Sequence, residues 1–379
     1  MQKEPIGLYL HVPFCASKCP YCDFYSMRTS EEEMERYTFA LQKQMKESYK
    51  ALSRKANTLY IGGGTPSLLG AERLKSLIKT AKETFLLENS EITVECNPYG
   101  LTKDFLEKLY ACGVRRISLG MQSAIEKERK KLGRRAGREE IATVIQNAKA
   151  VGFQNITVDV MLGIPYQTAE SLSETLDFAL AQDIPHVSVY LLKLEEGTPF
   201  YKMRKTLPIA DDDTAADFYL QTVETLEQHG LMQYEISNFA KLGYESRHNL
   251  KYWYAEEYLG LGPSAHSFIN GKRFYFPRDL ADFYAGKPPI ADGTGGDFLE
   301  YAMLSLRLSK GLSNENVEKR FHHAIPPFLL EKAKKYEAMG FLEMDTEGIR
   351  LLPKGFLMSN AILADLLDDA AMQAFAESL

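Results

Sequence analysis

The chain has 379 residues, 45% apolar and 25% charged, the make-up of a globular protein with room for one large domain and a smaller one. A formal net charge of −6 argues against nucleic acid as a partner, and no apolar run is long enough to span a bilayer. Met1 to Pro5 has neither the basic start nor the apolar stretch of a secretion signal, so a cytoplasmic chain is expected.

Six short runs rich in Val, Ile, Leu and Tyr read as strands: Ile6 to Val12, Thr58 to Ile61, Ile92 to Glu95, Arg116 to Gly120, Ile156 to Leu162 and Val187 to Leu192. Helical spacing separates and follows them, at Glu31 to Leu52, Ala71 to Phe85, Lys103 to Ala111, Arg138 to Val151, Ala169 to Ala181 and Asp212 to His229. Thr102 and Asp211 stand where N-caps belong. Gly113, Gly152 and Gly230 fall just past helix ends, where a left-handed residue is wanted. Strand–helix units in such a row mean a parallel sheet and fit an α/β fold, an incomplete (β/α)6 barrel open on one side. Barrel sites lie at the C-terminal ends of strands. Gly62 to Thr65, Glu95, Gln122 and Asp159 all end or follow an apolar run.

Beyond Gly230 the pattern changes. Tyr234 to Phe239, Arg247 to Tyr258 and Phe274 to Phe276 are aromatic with no clear period, and Gly286 to Gly296 reads as a linker. Helical patterns follow at Asp297 to Leu308, Asn314 to Phe321 and Pro327 to Met339, then a hairpin at Gly340 to Leu352 with its tip at Asp345 to Gly348. That order suggests a small winged-helix-like α+β domain. From Asp297 onward there are 9 Lys and Arg against 13 Asp and Glu, so its wing is read as structural or protein-binding, not as a DNA reader. The expected division is a barrel over 1–236, an aromatic-rich extension and linker over 237–296, and the C-terminal domain over 297–379.

Of five cysteines, Cys15, Cys19 and Cys22 fall together after the first strand, which points to metal rather than to a disulfide framework. Thiolates suit an iron–sulfur cluster, and three ligands on a four-iron cluster leave one iron open. The same cysteines with His11 also make a donor set for a structural zinc. Tyr21, Phe24 and Tyr25 around them can shield a cluster or simply pack a core. Cys96 and Cys112 read as small buried apolar residues.

Cys15-x-x-x-Cys19-x-x-Cys22, with Gly62-Gly63-Gly64-Thr65-Pro66 after the second strand, resembles the signature of the radical S-adenosylmethionine (SAM) superfamily. Tyr9 to Cys15, Gly63 to Ser67, Glu95 to Pro98, Gly120 to Ser123 and Asp159 to Pro165 are similar, more closely, to the oxygen-independent coproporphyrinogen III oxidase family. The resemblance covers nearly the whole chain. It implies a partial radical SAM barrel with an extension and a winged-helix-like C-terminal domain, and a [4Fe–4S] cluster on Cys15, Cys19 and Cys22. It also implies SAM contacts at Tyr9, Tyr21, Gly63, Gly64, Thr65, Glu95, Gln122, Arg134 and Asp159. Carboxylates can accept from ribose hydroxyls or the amine, and a guanidinium can pair with the methionyl carboxylate. Without that resemblance, Glu95 and Asp159 read as solvated strand-end acids and Arg134 as part of an exposed basic run.

The chain departs from the family's dehydrogenases. Tyr21 replaces a Phe, Phe24 stands where they have a further cysteine, Lys193 replaces a small residue, and only 14 residues precede Cys15. His248-Asn249-Leu250-Lys251-Tyr252-Trp253 instead resembles the signature of the family's heme chaperones, the HemW type. Imidazole is a common axial ligand of heme iron, so His248 is the candidate heme ligand and His266 a weaker one. For His248 the alternative is a buried, hydrogen-bonded histidine. His322 and His323 read as surface residues.

The resemblance thus implies a heme chaperone passing heme to respiratory hemoproteins, with no classical turnover and no residue singled out as catalytic. Dimerisation and transient peripheral membrane contact are implied with it. The alternatives are a coproporphyrinogen III dehydrogenase, or a radical SAM enzyme acting on another tetrapyrrole or small molecule in porphyrin metabolism.

Overall fold

The fold is that of a computed structural model, which describes residues 4–367, 372, 375 and 376. Six parallel strands run in sequence order: β1 (Ile6–Val12), β2 (Ala56–Gly63), β3 (Glu91–Cys96), β4 (Arg116–Gln122), β5 (Asn155–Leu162) and β6 (His186–Leu191). Period-two alternation decides their two faces. Leu59 and Ile61, Ile92 and Val94, Ile117 and Leu119, and Val187 and Val189 are buried in the apolar core. That core includes Leu41, Leu77, Leu109, Val144 and Leu176 from five of the helices that connect the strands. The intervening residues Tyr60, Glu95, Ser118, Asp159, Ser188 and Tyr190 line a small polar cavity inside the barrel.

Local signals set the helix ends. Ser30, Thr102, Thr168 and Asp211 each accept a hydrogen bond from the backbone N–H three residues on. Gly113, Gly152 and Gly230 take φ of 102°, 114° and 77°, the left-handed region that a side chain would resist.

The aromatic segments extend the sheet at both edges, mostly by antiparallel pairing. β7 (Met232–Glu235) and β8 (Asn238–Ala240) add beyond β6. β9 (Tyr258–Leu261) lies parallel to β1, followed outward by β10 (His266–Ile269), β11 (Lys272–Tyr275) and β12 (Ile290–Thr294). The expected linker therefore holds an edge strand, paired with β11 through Phe274↔Ala291 and Tyr275↔Ile290. Its proline and glycine content and fully exposed pattern hid it.

The C-terminal region has a three-stranded antiparallel sheet ordered β13 (Leu312–Ser313), β15 (Gly348–Leu351), β14 (Leu342–Met344), with helices around it. Asp345 Oδ1 accepts from the amides of Glu347 and Gly348 and pins the hairpin tip. His322 and His323 are exposed, Cys96 is buried and Cys112 is half-buried. This region is joined to the barrel edge by backbone bonds from Ile236 to Arg307 and from Ser309 to Tyr234.

Leu59, fully buried at the centre of β2, makes the packing testable. Leu59→Ala is expected to lower unfolding stability by about 2–5 kcal/mol in urea titrations. Leu242→Ala, at a side chain 94% exposed, is expected to stay within about 0.5 kcal/mol of the parent.

Candidate functional site

The C-terminal mouth of the barrel opens into a cavity of about 380 Å³. Of the residues expected to bind cofactor, all except Tyr9 and His248 line it. The sheet register explains the convergence. Glu95 pairs with Ser118, Gly120 with Asp159, and Met161 with Tyr190, so side chains from four strands meet at adjacent levels.

The glycine loop works by close approach. Gly64 N–H donates to Val12 O and Thr65 N–H to Phe14 O, each at 2.7 Å. A Cβ on Gly64 would lie 2.6 Å from Phe14 O and 2.9 Å from Val12 O, so only glycine lets the loop lie against the segment leading to Cys15. Thr65 Oγ1 then sits 3.4 Å from Cys15 Sγ. Gly63 N–H donates to Glu95 Oε2 at 3.1 Å. These amides are committed to the chain itself, so an ammonium group of a ligand would have to meet carbonyl oxygens and carboxylates.

Glu95 is held by a second bond, from Tyr60 Oη at 2.8 Å. Asp159 accepts from Ser118 Oγ at 3.0 Å. Both side chains are half-buried in the wall of the cavity, not solvated at strand ends. Burial pushes Glu95 from the ordinary 4.5 up to about 7 and Asp159 from 3.8 up to about 6. Arg134 is also drawn inward and is not part of an exposed run. Its Nη2 donates to Gly120 O, and its Nη1 lies 4.0 Å from Cys19 Sγ. Gln122 adopts φ of 70° beside a register shift in β4, backbone strain of the kind that gathers at functional sites.

Cys15, Cys19 and Cys22 are unpaired thiols in this cavity. Among the described residues, no group of three or more His, Cys, Asp or Glu converges tightly enough to hold a single metal ion. His11 does not complete a zinc site, because it bonds Tyr9 Oη through Nδ1 and Tyr25 O through Nε2, each at 3.0 Å. A four-iron cluster carries its thiolates on separate irons and does not need them to meet at one point. The donor set and the enclosed space therefore fit a cluster better than an ion. Tyr9 lies beside this site rather than in it, its ring 6.2 Å from that of Tyr60.

His248 sits apart, on the helix Arg247–Trp253. It is 1% exposed, bonded to Thr58 Oγ1 and Tyr252 Oη at 2.8 Å each, and stacked on Tyr60 at 5.3 Å. Burial, with Lys251 nearby, lowers its pKa to about 3, so the ring is neutral. Both ring nitrogens are engaged, as in a buried structural histidine.

Tyr60, Ser118, Tyr190, Tyr99 and Arg135 belong to the site or its support and were not anticipated. For the first two a signal existed: Tyr60 lies two residues before Gly62 and Ser118 two before Gly120, on the same strand face. Arg135 and Tyr99 meet only through folding, with the guanidinium 3.9 Å from the ring centroid.

The two acids predict a pH dependence. Each keeps its proton in the folded chain at a pH where the unfolded chain has released it. The folded state then binds more protons, and stability falls as pH rises. The window for Glu95 runs from about 4.5 to about 7. Glu95→Gln is expected to reduce this loss by up to about 3 kcal/mol. Urea unfolding of the ligand-free chain at both ends of the window measures it. An unchanged slope would mean that Glu95 is solvated.

Residues 9–179 match the radical SAM superfamily model and residues 298–358 the HemN C-terminal domain model. The heme chaperone HemW of Bacillus subtilis (strain 168) is 32% identical over 374 residues, covering 95% of this chain and 99% of that protein. The heme chaperone HemW of Lactococcus lactis subsp. lactis (strain IL1403) is 33% identical, covering 97% and 99%. The HemW of Escherichia coli (strain K12) is 37% identical over 268 residues, 70% of each chain. Among solved structures, coproporphyrinogen III oxidase (HemN) from Escherichia coli superposes with a TM-score of 0.84 at 23% identity, covering 96% of this chain and 90% of that one, which establishes a common fold. With its barrel, its cysteine-lined cavity and full-length relatives of one kind, the chain belongs to the HemW heme chaperone family of the radical SAM superfamily.

Proposed function

We propose that this protein is a heme chaperone that binds heme and hands it to respiratory hemoproteins, with a [4Fe–4S] cluster and SAM held in the barrel mouth. The observation that carries this is the match to proteins named heme chaperones over 95–97% of the chain, in a fold whose mouth gathers three free thiols. Cys15, Cys19 and Cys22 are the proposed cluster ligands. Arg134 is the proposed partner of a ligand carboxylate, and Glu95 and Asp159 are the proposed acceptors of its hydroxyl or amine groups. When bound, the cluster supplies a redox-active iron with an open coordination position. The chain contributes shielding: Tyr21 and Met161 line the cavity, and Thr65 fixes the loop beside Cys15.

Among the described residues no helix is long and apolar enough to cross a membrane. Recipients embedded in a membrane would be met at its surface, and a dimer is part of the same proposal.

Single Cys→Ala substitutions at 15, 19 and 22 are each expected to abolish the iron and sulfide retained after anaerobic reconstitution. Retention at the parental level would remove that cysteine from the ligand set. The function is tested by titrating reduced, reconstituted protein with hemin while a parallel sample receives SAM and coproporphyrinogen III. Stoichiometric heme uptake without protoporphyrinogen is expected. Protoporphyrinogen appearing together with 5′-deoxyadenosine would identify a dehydrogenase instead.

A further inference from the structure

We propose that heme iron is ligated by His266 on β10, at a surface site beside the cysteine loop, and not by His248. The inference rests on the heme-binding reading above and adds the ligand and its place.

An axial histidine needs one ring nitrogen open to iron, and the fold distributes this property unevenly among the seven histidines. His11 and His248 have both nitrogens bonded and are buried. His186 is wholly buried, with Nε2 on Tyr234 Oη. His229 bonds Thr225 O at the exposed end of its helix. His322 and His323 are exposed on the C-terminal region.

His266 differs in how it is built. Its side chain is 59% exposed, yet the ring is fixed by stacking on Tyr275 at 5.1 Å and 22°. Nδ1 lies 4.0 Å from Asp292 Oδ2 on the edge strand β12. That separation is too long for a hydrogen bond, so stacking alone fixes the ring, and the carboxylate stands near enough to accept from Nδ1 once a metal is bound.

The surroundings suit a flat anionic macrocycle. Phe276 N–H bonds Ala265 O, which brings the turn carrying Arg278 against the start of β10. Arg278 is exposed and pairs with Asp23 at 3.1 Å, an ion pair that a propionate can replace. Asp23 directly follows Cys22, and the next residue, Phe24, is 62% exposed and lines the cysteine-lined cavity. The Asp23–Arg278 pair and the Phe276–Ala265 bond thus link an exposed aromatic, an exchangeable cation and an imidazole fixed by stacking.

The test is a hemin titration of the full chain, anaerobically reconstituted, in parental, His266→Ala, His248→Gln and His322→Ala/His323→Ala forms. Equal iron and sulfide contents and far-ultraviolet circular dichroism verify folding. The expected result is that only His266→Ala loses the histidine-ligated Soret band, with affinity lower by about tenfold or more. His266→Gly should regain the band when imidazole is added. A His266→Ala protein that titrates like the parent overturns the assignment, and loss of the band in either of the other variants transfers it there. If the parental chain takes up no hemin, the heme-binding reading itself fails.

Discussion

The approach of two backbones at the barrel mouth is the constraint on which the rest of the site depends. The loop after β2 lies against the end of β1 closely enough for Val12 O and Phe14 O to accept two of its amides. Only residues without side chains permit that distance, since a Cβ at Gly63 would meet the His11 ring at 2.7 Å and one at Gly64 the backbone of Phe14. The chain reaches Cys15 directly from this contact, so the position of the first cysteine follows from packing at a glycine. Thr65 completes the contact through its hydroxyl. The glycines therefore act on the cysteine loop first, and on any ligand through the space that this geometry leaves.

A second consequence runs along the barrel interior. Tyr60 bonds Glu95 with its hydroxyl while its ring stacks on His248, so one side chain spans from the mouth toward the opposite end. The helix bearing His248 is itself anchored by Glu91 at the start of β3, whose carboxylate accepts from the amides of Arg247 and His248. In this low-dielectric column the two acids hold protons that water would remove. The shift of Glu95, to which the Asp159 charge contributes, delays the point at which two neighbouring anions face each other, and both groups remain able to ionise against a cationic ligand group.

Elements with a strong period were legible in the sequence. The parallel strands and their helices repeat apolar residues on one face, and caps such as Thr102 and Asp211 mark the ends chemically. The extension was not legible because β7 to β12 are strands of three to five residues, too short to show alternation, and β12 is exposed at every position. Within the site, residue type exposed the cysteines and glycines. Burial was invisible: Glu95 and Asp159 look like solvated strand-end acids until neighbouring strands enclose them. Arg135 and Tyr99 carry no common local signal, because their contact joins segments far apart in the chain.

The two histidines of the aromatic region show why motif and environment have to be weighed separately. His248 stands in the segment that draws attention, with the chain's only tryptophan five residues on. Yet its neighbours use every polar atom of the ring. Freeing either nitrogen would leave Thr58 or Tyr252 without its partner in a buried setting, a loss of about 1–3 kcal/mol before any bond to iron forms. His266 bears no such penalty, because its side chain already faces solvent and its ring is fixed by stacking rather than by hydrogen bonds. For a protein that must both take up and release a ligand, an open imidazole on a stable strand is the less demanding solution. The aromatic segment around His248 is then explained by its contacts: it packs against the barrel interior and supports Tyr60, and through Tyr60 the carboxylate at the mouth.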